Sequence, residues 1–273
     1  MNILFFGKNS FSAQYLIKDL IKDKNKLYFF SRKSSTLKNN YIFELTKKIK
    51  LSKKIKKLKR PYIFIFSSYV PLFENNSDWE KCKNINIFGI IELLKNLKKP
   101  KKIILASSCS LYGDINKKTT ELSFLQPQNH YALSKFEQES LIRIFCQINN
   151  IKFVSYRLGY VFGDNMYKKR LVIRLLNSFR RKKKIRLFNK NLNLNLIHSK
   201  DVSDIITKTF KKAEGTYNLV NKKKISISNF KKSLENKINL KENNFISSKI
   251  FREFKHIKNL DFNKSINLFK DGN

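Results

Sequence analysis

Near its N-terminus the chain reads Asn2-Ile-Leu-Phe-Phe-Gly-Lys-Asn-Ser-Phe-Ser-Ala13. A short apolar run of strand length ends at Gly7, and from Ser12 to Asp23 the apolar residues recur at helical spacing. A turn between a strand and a helix aims backbone N–H groups and the helix N-terminus at a phosphate. The stretch therefore predicts a strand–turn–helix unit whose loop binds a dinucleotide through Gly7, Ser10 and Phe11.

Further strand-like runs follow at intervals along the chain. They lie at Leu27–Phe30, Tyr62–Phe66, Lys102–Ala106 and Ile151–Tyr156, with helix-like segments such as Tyr131–Ile148 between them. Strands that alternate with helices form βαβ units, which build a parallel sheet covered on both faces. We therefore expect an α/β fold with a Rossmann-type, doubly wound parallel sheet, whose ligands bind at the carboxyl ends of the strands.

The pattern changes in the C-terminal part of the chain. Its segments are a helix at Arg170–Phe179, a basic connector at Arg180–Arg186, a strand at Leu192–Ile197 and a helix at Asp201–Phe210. We expect a dinucleotide-binding domain over residues 1–162 and a smaller C-terminal substrate lobe over 163–273. Residues 195–212 should pack back on the first domain.

The chain is strongly basic, with 58 Lys and Arg against 20 Asp and Glu and a net charge of +38. A basic surface favours nucleic acid or anionic lipid as a partner. The charge is spread along the whole chain, however, which favours a compositional bias. In the segment Lys47–Arg60, Leu51, Ile55 and Leu58 share one helical stripe. The stripe would rest on a membrane surface or, as we prefer, pack a crossover helix onto the sheet.

Several features predict a cytoplasmic location. No apolar run approaches the roughly 18 residues that cross a bilayer, and the N-terminus lacks the basic and apolar regions of a secretory signal. Cys82, Cys109 and Cys146 are odd in number and widely spaced, which suits a reducing compartment. His198 has no second His or Cys at metal-ligand spacing, so we expect no metal site.

The second strand ends Phe29-Phe30-Ser31-Arg32-Lys33. A carboxylate in this position would bind the ribose hydroxyls of NAD and repel the 2′-phosphate of NADP. Arg32 and Lys33 would instead clamp that phosphate. The sequence thus favours NADP slightly over NAD, with Ser31, Arg32, Lys33 and, after the third strand, Ser67 at the cofactor.

The residues that carry chemistry follow the fourth strand. Ser107-Ser-Cys-Ser-Leu-Tyr-Gly113 comes directly after it, and Tyr131-Ala-Leu-Ser-Lys135 opens the long helix. Tyr131 and Lys135 share a helical face at spacing i, i+4. A phenol has a pKa of about 10, and an adjacent ammonium favours the phenolate. Ser108, Tyr131 and Lys135 are therefore the candidate catalytic residues, with Lys135 also bonding the cofactor ribose and Ser108 the substrate oxygen.

Four other segments carry a family resemblance. They are Asn86-Ile-Phe-Gly89, Arg157-Leu-Gly-Tyr-Val-Phe-Gly163, Ile197-His-Ser-Lys-Asp-Val202 and Gly215-Thr-Tyr-Asn-Leu219. With the motifs above, they resemble the extended short-chain dehydrogenase/reductases, specifically the NAD-dependent epimerase/dehydratase family that acts on nucleotide sugars. The resemblance implies a nicotinamide cofactor, a sugar-nucleotide substrate in the C-terminal lobe and, by position, Tyr131 as acid/base. It also allows a homodimer.

Departures from the family pattern narrow the reaction. Cys109 and Ser110 stand where the dehydratases carry an Asp-Glu pair, which makes 4,6-dehydration an unsuitable reaction for this chain. Tyr160 stands where family members have an asparagine that contacts the sugar nucleotide. Leu194 stands where they often have an arginine that binds the diphosphate. The basic run Arg180–Lys184 could supply the positive charge of that arginine. Ser108, Ser110 and Tyr160 are the candidate substrate contacts.

Two functions of different classes remain open on the sequence. The first is an NAD(P)-dependent epimerase or reductase that works through the Ser-Tyr-Lys site. The alternative is a catalytically weak dinucleotide-fold protein that binds RNA or an anionic membrane surface. The intact Ser-Tyr-Lys set favours the first, because a pure binding protein needs no phenol tuned by an ammonium.

Overall fold

The computed structural model describes residues 1–32, 39–47, 51–71, 75–113, 119–163, 166–180, 193–220, 225–229 and 232. Its strands are β1 (Asn2–Phe6), β2 (Lys26–Ser31), β3 (Asn40–Ile42), β4 (Tyr62–Ile65), β5 (Lys102–Ser108), β6 (Lys152–Leu158), β7 (Tyr160–Phe162), β8 (Asn193–Leu194), β9 (Leu196–His198), β10 (Gly215–Leu219) and β11 (Ile225–Ser226). Its α-helices are α1 (Gln14–Lys22), α2 (Lys53–Lys56), α3 (Asn76–Lys81), α4 (Gly89–Asn96), α5 (His130–Ile148), α6 (Leu171–Arg180) and α7 (Ser199–Thr209). Short 3₁₀ turns lie at Phe11–Ala13 and Cys109–Tyr112, and a π-helical stretch at Cys82–Phe88.

Seven parallel strands form the central sheet in the order β10-β6-β5-β4-β1-β2-β3. The strand order reverses at β1, which has β2 on one side and β4 on the other. At such a reversal the connections leave the sheet in opposite directions and open a crevice at the carboxyl ends. The Rossmann-type, doubly wound sheet predicted from the sequence is confirmed.

Alternate residues of each strand feed two separate cores. In β1, Ile3 and Phe5 point to one face, while Leu4 and Phe6 point to the other. The first face is covered by α1 and α7, and the second by α2, α4 and α5. Helix α7 is tied to α1 by Lys200, whose amine lies 2.7 Å from the Asp19 carboxylate. Apolar residues of this late segment thus share a core with the first strand.

Two expected elements differ from the structure, namely the strand at Leu192–Ile197 and the helix of the basic segment after residue 47. The single strand expected at Leu192–Ile197 is wrong, because β8 pairs with β11 and β9 with β7. The backbone must change partner at Asn195, whose carbonyl accepts a hydrogen bond from Tyr160 N. Before β5, a helical run extends from Asn76 to Asn96 and passes through the π-helical stretch.

The basic segment after residue 47 also differs from expectation. Within the described part of it, only Lys53–Lys56 is helical. Leu51 and Ile55 are nevertheless buried against the sheet, as a crossover packing requires. In the part of the chain that the structure covers, no helix has the length and apolarity needed to cross a membrane.

Lys102 is a buried cation at the start of β5, with 1% of its surface exposed. Its amine donates hydrogen bonds to the carbonyl oxygens of Phe210, Lys211 and Ala213, at 3.2, 2.9 and 2.9 Å. Carbonyls at a helix C-terminus lack partners within the helix, and a cation there also meets the negative end of the helix dipole. Lys102 therefore holds the end of α7 against the sheet.

Replacing Lys102 with Met should lower the free energy of unfolding by about 1–3 kcal/mol, because buried carbonyls lose their donor while the apolar volume is kept. Urea denaturation followed by circular dichroism measures the change. Lys98→Met, at an exposed position of the preceding loop, should have little effect. A Lys102→Met protein as stable as the parent would show that the amine does not support α7.

Candidate active site

The loop after β1 is built for close approach to a ligand. Gly7 has φ +94, and a Cβ there would come within 2.8 Å of the Phe66 carbonyl oxygen and collide with the Ser67 backbone. The rest of the loop is held by Gln14, whose Nε2 donates to the carbonyls of Lys8 at 2.8 Å and Ser10 at 3.2 Å. Side-chain hydrogen bonds thus order a loop that carries Ser10 and Ala13 in the positions of two of the glycines of a dinucleotide-binding fingerprint.

The crevice between β1 and β4 fits a dinucleotide. Gly7 ends one strand and Ser67 follows the other, so the two residues meet at the mouth of the crevice. The Ser67 hydroxyl is buried and has no hydrogen-bond partner among the described residues. A buried hydroxyl costs free energy unless it is bonded, and a phosphate or ribose oxygen in the crevice would satisfy it.

The end of β2 forms the next part of the crevice. Ser31 is buried and its hydroxyl donates to Asn40 Oδ1 at 3.3 Å, while Arg32 is exposed. Lys33 lies outside the described residues, as does most of the basic run that starts at Arg180. At the front of the loop, Phe11 begins the 3₁₀ turn that leads into α1 and is partly buried.

Ser108 lies between the sheet and helix α5. It ends β5 and caps the following 3₁₀ turn, with its oxygen accepting from Ser110 N at 3.1 Å. The two serine hydroxyls are 2.8 Å apart. The Ser108 hydroxyl also lies beside the Tyr131 phenol, whose pKa it lowers. The structure thus brings Ser108, Ser110 and Tyr131 together at the carboxyl end of β5.

The Tyr131 phenol is held in its protonated form. Burial raises its pKa to about 12, against the hydrogen bond from Ser108 and the charge of Arg170, which both lower it. Arg170 precedes α6 and donates to the carbonyl of Val70 at 3.2 Å, which places a guanidinium across the mouth of the crevice. A cation placed there favours the phenolate that acid/base work requires.

Lys135 lies one helical turn after Tyr131 and is 2% exposed. Its amine donates to the Ala106 carbonyl at 2.7 Å, to the Ser68 hydroxyl at 3.2 Å and to Gln138 Oε1. Burial lowers its pKa to about 7, although the charge of Glu139 opposes the change. The amine therefore titrates in the physiological range.

A buried ion pair joins strand β6 to helix α5, which carries Tyr131 and Lys135. Arg157 on β6 bonds Glu139 on α5 through Nη2 at 2.7 Å and Nε at 3.3 Å, and Ser155 donates to the same carboxylate at 2.9 Å. Arg157 also donates to the Tyr112 hydroxyl at 2.7 Å. Burial raises the pKa of Glu139, but the hydrogen bond and charge of Arg157 outweigh it and leave the pKa below its ordinary value.

Tyr160 is the first residue of β7. Its phenol lies beside the backbone N–H groups of Leu171 and Val172 at the start of α6, which lower its pKa. Burial raises the pKa of Tyr160, and the charge of Arg170 opposes this change. Tyr160 therefore occupies a helix N-terminus, where an anion would otherwise be stabilised.

Cys109 and His198 both make hydrogen bonds to the backbone that stabilise the fold. Cys109 is buried, its thiol donates to the Arg157 carbonyl at 3.1 Å, and burial raises its pKa to about 12. His198 Nδ1 accepts from Lys200 N at 3.1 Å and caps α7. The described residues contain no group of His, Cys, Asp and Glu that could hold a metal ion.

The sequence reasoning missed Gln138, Ser68 and Arg170. Gln138 could have been found from its spacing, because three residues after Lys135 it must share the inward face of the helix. Ser68 and Arg170 carry no such signal, since their contacts join segments far apart in the chain.

The family model of the NAD dependent epimerase/dehydratase family matches residues 3–221. Among curated proteins, the UDP-glucose 4-epimerase of Mycoplasma genitalium is 28% identical over 146 residues, 46% of this chain and 43% of that protein. The dTDP-D-glucose 4,6-dehydratase of Dictyostelium discoideum is 27% identical over 151 residues, 49% of this chain and 35% of that protein. The matches therefore span less than half the length of these curated relatives.

Solved structures share the architecture. The UDP-glucose 4-epimerase of Thermus thermophilus in complex with NAD has a TM-score of 0.78 at 15% identity and covers 88% of this chain and 84% of its own. The UDP-glucuronic acid 4-epimerase of Bacillus cereus in complex with UDP-glucuronic acid and NAD has a TM-score of 0.75 at 18% identity, with 89% and 84% covered. At these identities the likeness establishes the fold.

Replacing Glu139 with Gln should lower the free energy of unfolding by about 3 kcal/mol near neutral pH, because Arg157 is left buried without its counter-charge. The folded-state pKa of Glu139 is depressed, so the pair stabilises the fold above the ordinary carboxyl pKa and the effect is lost as pH falls through the folded-state value. The gap between variant and parent should therefore shrink in acid.

Urea denaturation at neutral and acidic pH measures this gap. Glu137→Gln, on the same helix and partly exposed, is the matched control and should leave stability nearly unchanged. An equal difference in unfolding free energy between variant and parent at both pH values would show that the charge of the Glu139 carboxylate does not stabilise Arg157.

Proposed function

The chain belongs to the NAD-dependent epimerase/dehydratase family, and we propose that it inverts a hydroxyl-bearing carbon of a nucleotide sugar. The observation that carries this proposal is the placement of the Ser108 hydroxyl beside the Tyr131 phenol, whose pKa it lowers, with Lys135 one helical turn further along α5. A phenol between a serine hydroxyl and an amine is suited to moving a proton to and from a substrate hydroxyl. The solved relatives named above are epimerases of UDP sugars.

The proposed reaction divides the work between cofactor and protein. The nicotinamide cofactor, when bound between β1 and β4, supplies the acceptor and donor of a hydride at the reacting carbon. Tyr131 would take the proton from the substrate hydroxyl when the carbon is oxidised and would return it when the carbon is reduced. Ser108 holds the substrate oxygen beside the phenol, and Lys135 and Arg170 favour the phenolate.

Residues at the substrate side support inversion over dehydration. Removal of water needs an acid beside the reacting sugar, and the pKa of Cys109, at about 12, leaves its thiol inert at neutral pH. Ser110 carries a hydroxyl in place of a carboxylic acid, and this hydroxyl lies 2.8 Å from that of Ser108. We propose Ser108, Ser110 and Tyr160 as the residues that line the sugar site.

The finer proposal on the cofactor is that the site accepts NADP at least as well as NAD. Ser31 and the exposed Arg32 end β2 without a carboxylate, so a 2′-phosphate meets a cation in place of a repulsive charge. The two epimerase structures described above contain NAD. In this proposal, the preference of the chain for NADP or NAD depends on Arg32.

Replacing Tyr131 with Phe should lower kcat at least about 100-fold with cofactor binding retained, because the acid/base group is lost while the ring still fills the site. Turnover is followed by NMR of the anomeric signals of UDP-glucose, UDP-glucuronic acid and their 4-epimers. Tyr28→Phe, a buried tyrosine on β2, three strands away from β5, should keep parental turnover. A parent protein that binds no dinucleotide but binds RNA in a salt-sensitive way would instead support the RNA-binding alternative.

Replacing Arg32 with Ala should weaken NADPH binding about tenfold and change NADH binding less than about twofold, because only the 2′-phosphate depends on the guanidinium. Titration calorimetry with both dinucleotides gives the two ratios. If the parent binds NADH far more tightly, or if both affinities fall together, Arg32 does not select for NADP.

A further inference from the structure

Gln138 is a fully buried polar side chain on the inward face of α5. Its Oε1 accepts a hydrogen bond from the Lys135 amine, and its Nε2 donates to the main-chain carbonyl of Asn86 at 3.3 Å. A primary amide buried without partners is costly, so such a residue is kept in place by the bonds it makes. Gln138 thus forms a bridge between Lys135 and the backbone of the π-helical stretch.

Lys135 has as many acceptors as its ammonium has hydrogens. An ammonium carries three N–H donors, and these meet the Ala106 carbonyl, the Ser68 hydroxyl and Gln138 Oε1. All three acceptors are neutral groups. The charge of Glu139 also acts on the amine, but this carboxylate is bonded to Arg157 and Ser155. The amine is therefore oriented by neutral acceptors, one helical turn from Tyr131.

The π-helical stretch supplies the second anchor of the bridge. Asn86 bonds the backbone of Tyr69 on both sides, with Oδ1 accepting at 2.7 Å and Nδ2 donating at 3.0 Å, and Nδ2 also donates to Ser134 Oγ at 2.9 Å. Single π-helical turns occur frequently at functional sites because they redirect backbone groups. Here the carbonyl of Asn86 faces Gln138.

We propose that Gln138 is a positioning residue whose amide oxygen holds the Lys135 amine at the carboxyl end of β5, facing Tyr131. This proposal rests on the proposed function, because that function is what gives the Lys135 amine a role in catalysis. Gln138 acts through Lys135 and touches neither substrate nor cofactor.

The pKa of the Lys135 amine is subject to two opposing effects, and a neutral acceptor at position 138 balances them. Burial favours the neutral amine, whereas each hydrogen bond to the ammonium favours the charged form. An apolar residue at 138 would release the amine and favour its neutral form, and a carboxylate would neutralise the charge that Tyr131 requires. Among the described residues, the titratable or charged groups around the site include Tyr131, Glu139, Arg157, Cys82, Arg170, Cys109, Tyr112 and Tyr160.

The test measures the titration of the Lys135 amine by ¹⁵N NMR of the full chain labelled at lysine Nζ, with the signal assigned by its loss in Lys135→Met. In Gln138→Met the midpoint should fall by about one pH unit, the effect of removing one hydrogen bond to a charged group. In Gln138→Glu it should rise above the parental value. Gln147→Met, on the exposed end of the same helix, should leave it unchanged.

A residue that only fills space would not move the midpoint in opposite directions in the two variants. Unchanged midpoints in both Gln138→Met and Gln138→Glu would overturn the proposal, and the second variant carries the test if the first does not fold. In the active enzyme, Gln138→Met should lower kcat about tenfold at neutral pH, with KM changed less than about threefold and the acid limb of the kcat profile moved to higher pH.

The titration needs neither substrate nor cofactor, so the two proposals can fail separately. A parent protein without epimerase activity whose midpoints still shift as expected would overturn the proposed function and leave the placement of Lys135 by Gln138 standing.

Discussion

The ion pair between Glu139 and Arg157 fixes the rotation of α5 over the sheet. Because Glu139 can meet Arg157 and Ser155 only when one face of the helix is turned inward, the residues on that face are fixed with it. Tyr131, at the start of the helix, then meets Ser108 at the end of β5. The geometry of the site thus depends on a contact that takes no part in the proposed chemistry.

Burial acts on the two titrating groups of the site in opposite directions. It raises the pKa of Tyr131 and lowers that of Lys135, because in each case it disfavours the charged form. Proton transfer by the phenol requires charges that reverse part of this effect. The charge of Arg170 lowers the pKa of the phenol, and the Lys135 amine lies one helical turn along α5, held by neutral acceptors. Glu139, whose charge also acts on Lys135, is paired with Arg157.

Tyr160 lies at the N-terminus of helix α6. Its phenol is beside the backbone N–H groups of Leu171 and Val172, which lower its pKa. An anionic substrate group that used this helix N-terminus would have to share or displace that bond. If the proposed sugar nucleotide binds here, the packing of Tyr160 and Arg170 would help to select it.

The sequence by itself determined the alternation of strands and helices, the turn at Gly7 and the spacing that sets Tyr131 and Lys135 one turn apart. These features depend on local periodicity and on backbone conformations that few residues adopt, and both can be read from neighbouring residues. Only the tertiary structure decided the break at Asn195, the cap that Lys102 gives to α7, and the contacts of Lys135 with Ser68 and Ala106. Each joins segments brought together by packing of the sheet, and such contacts leave no periodic signal along the chain.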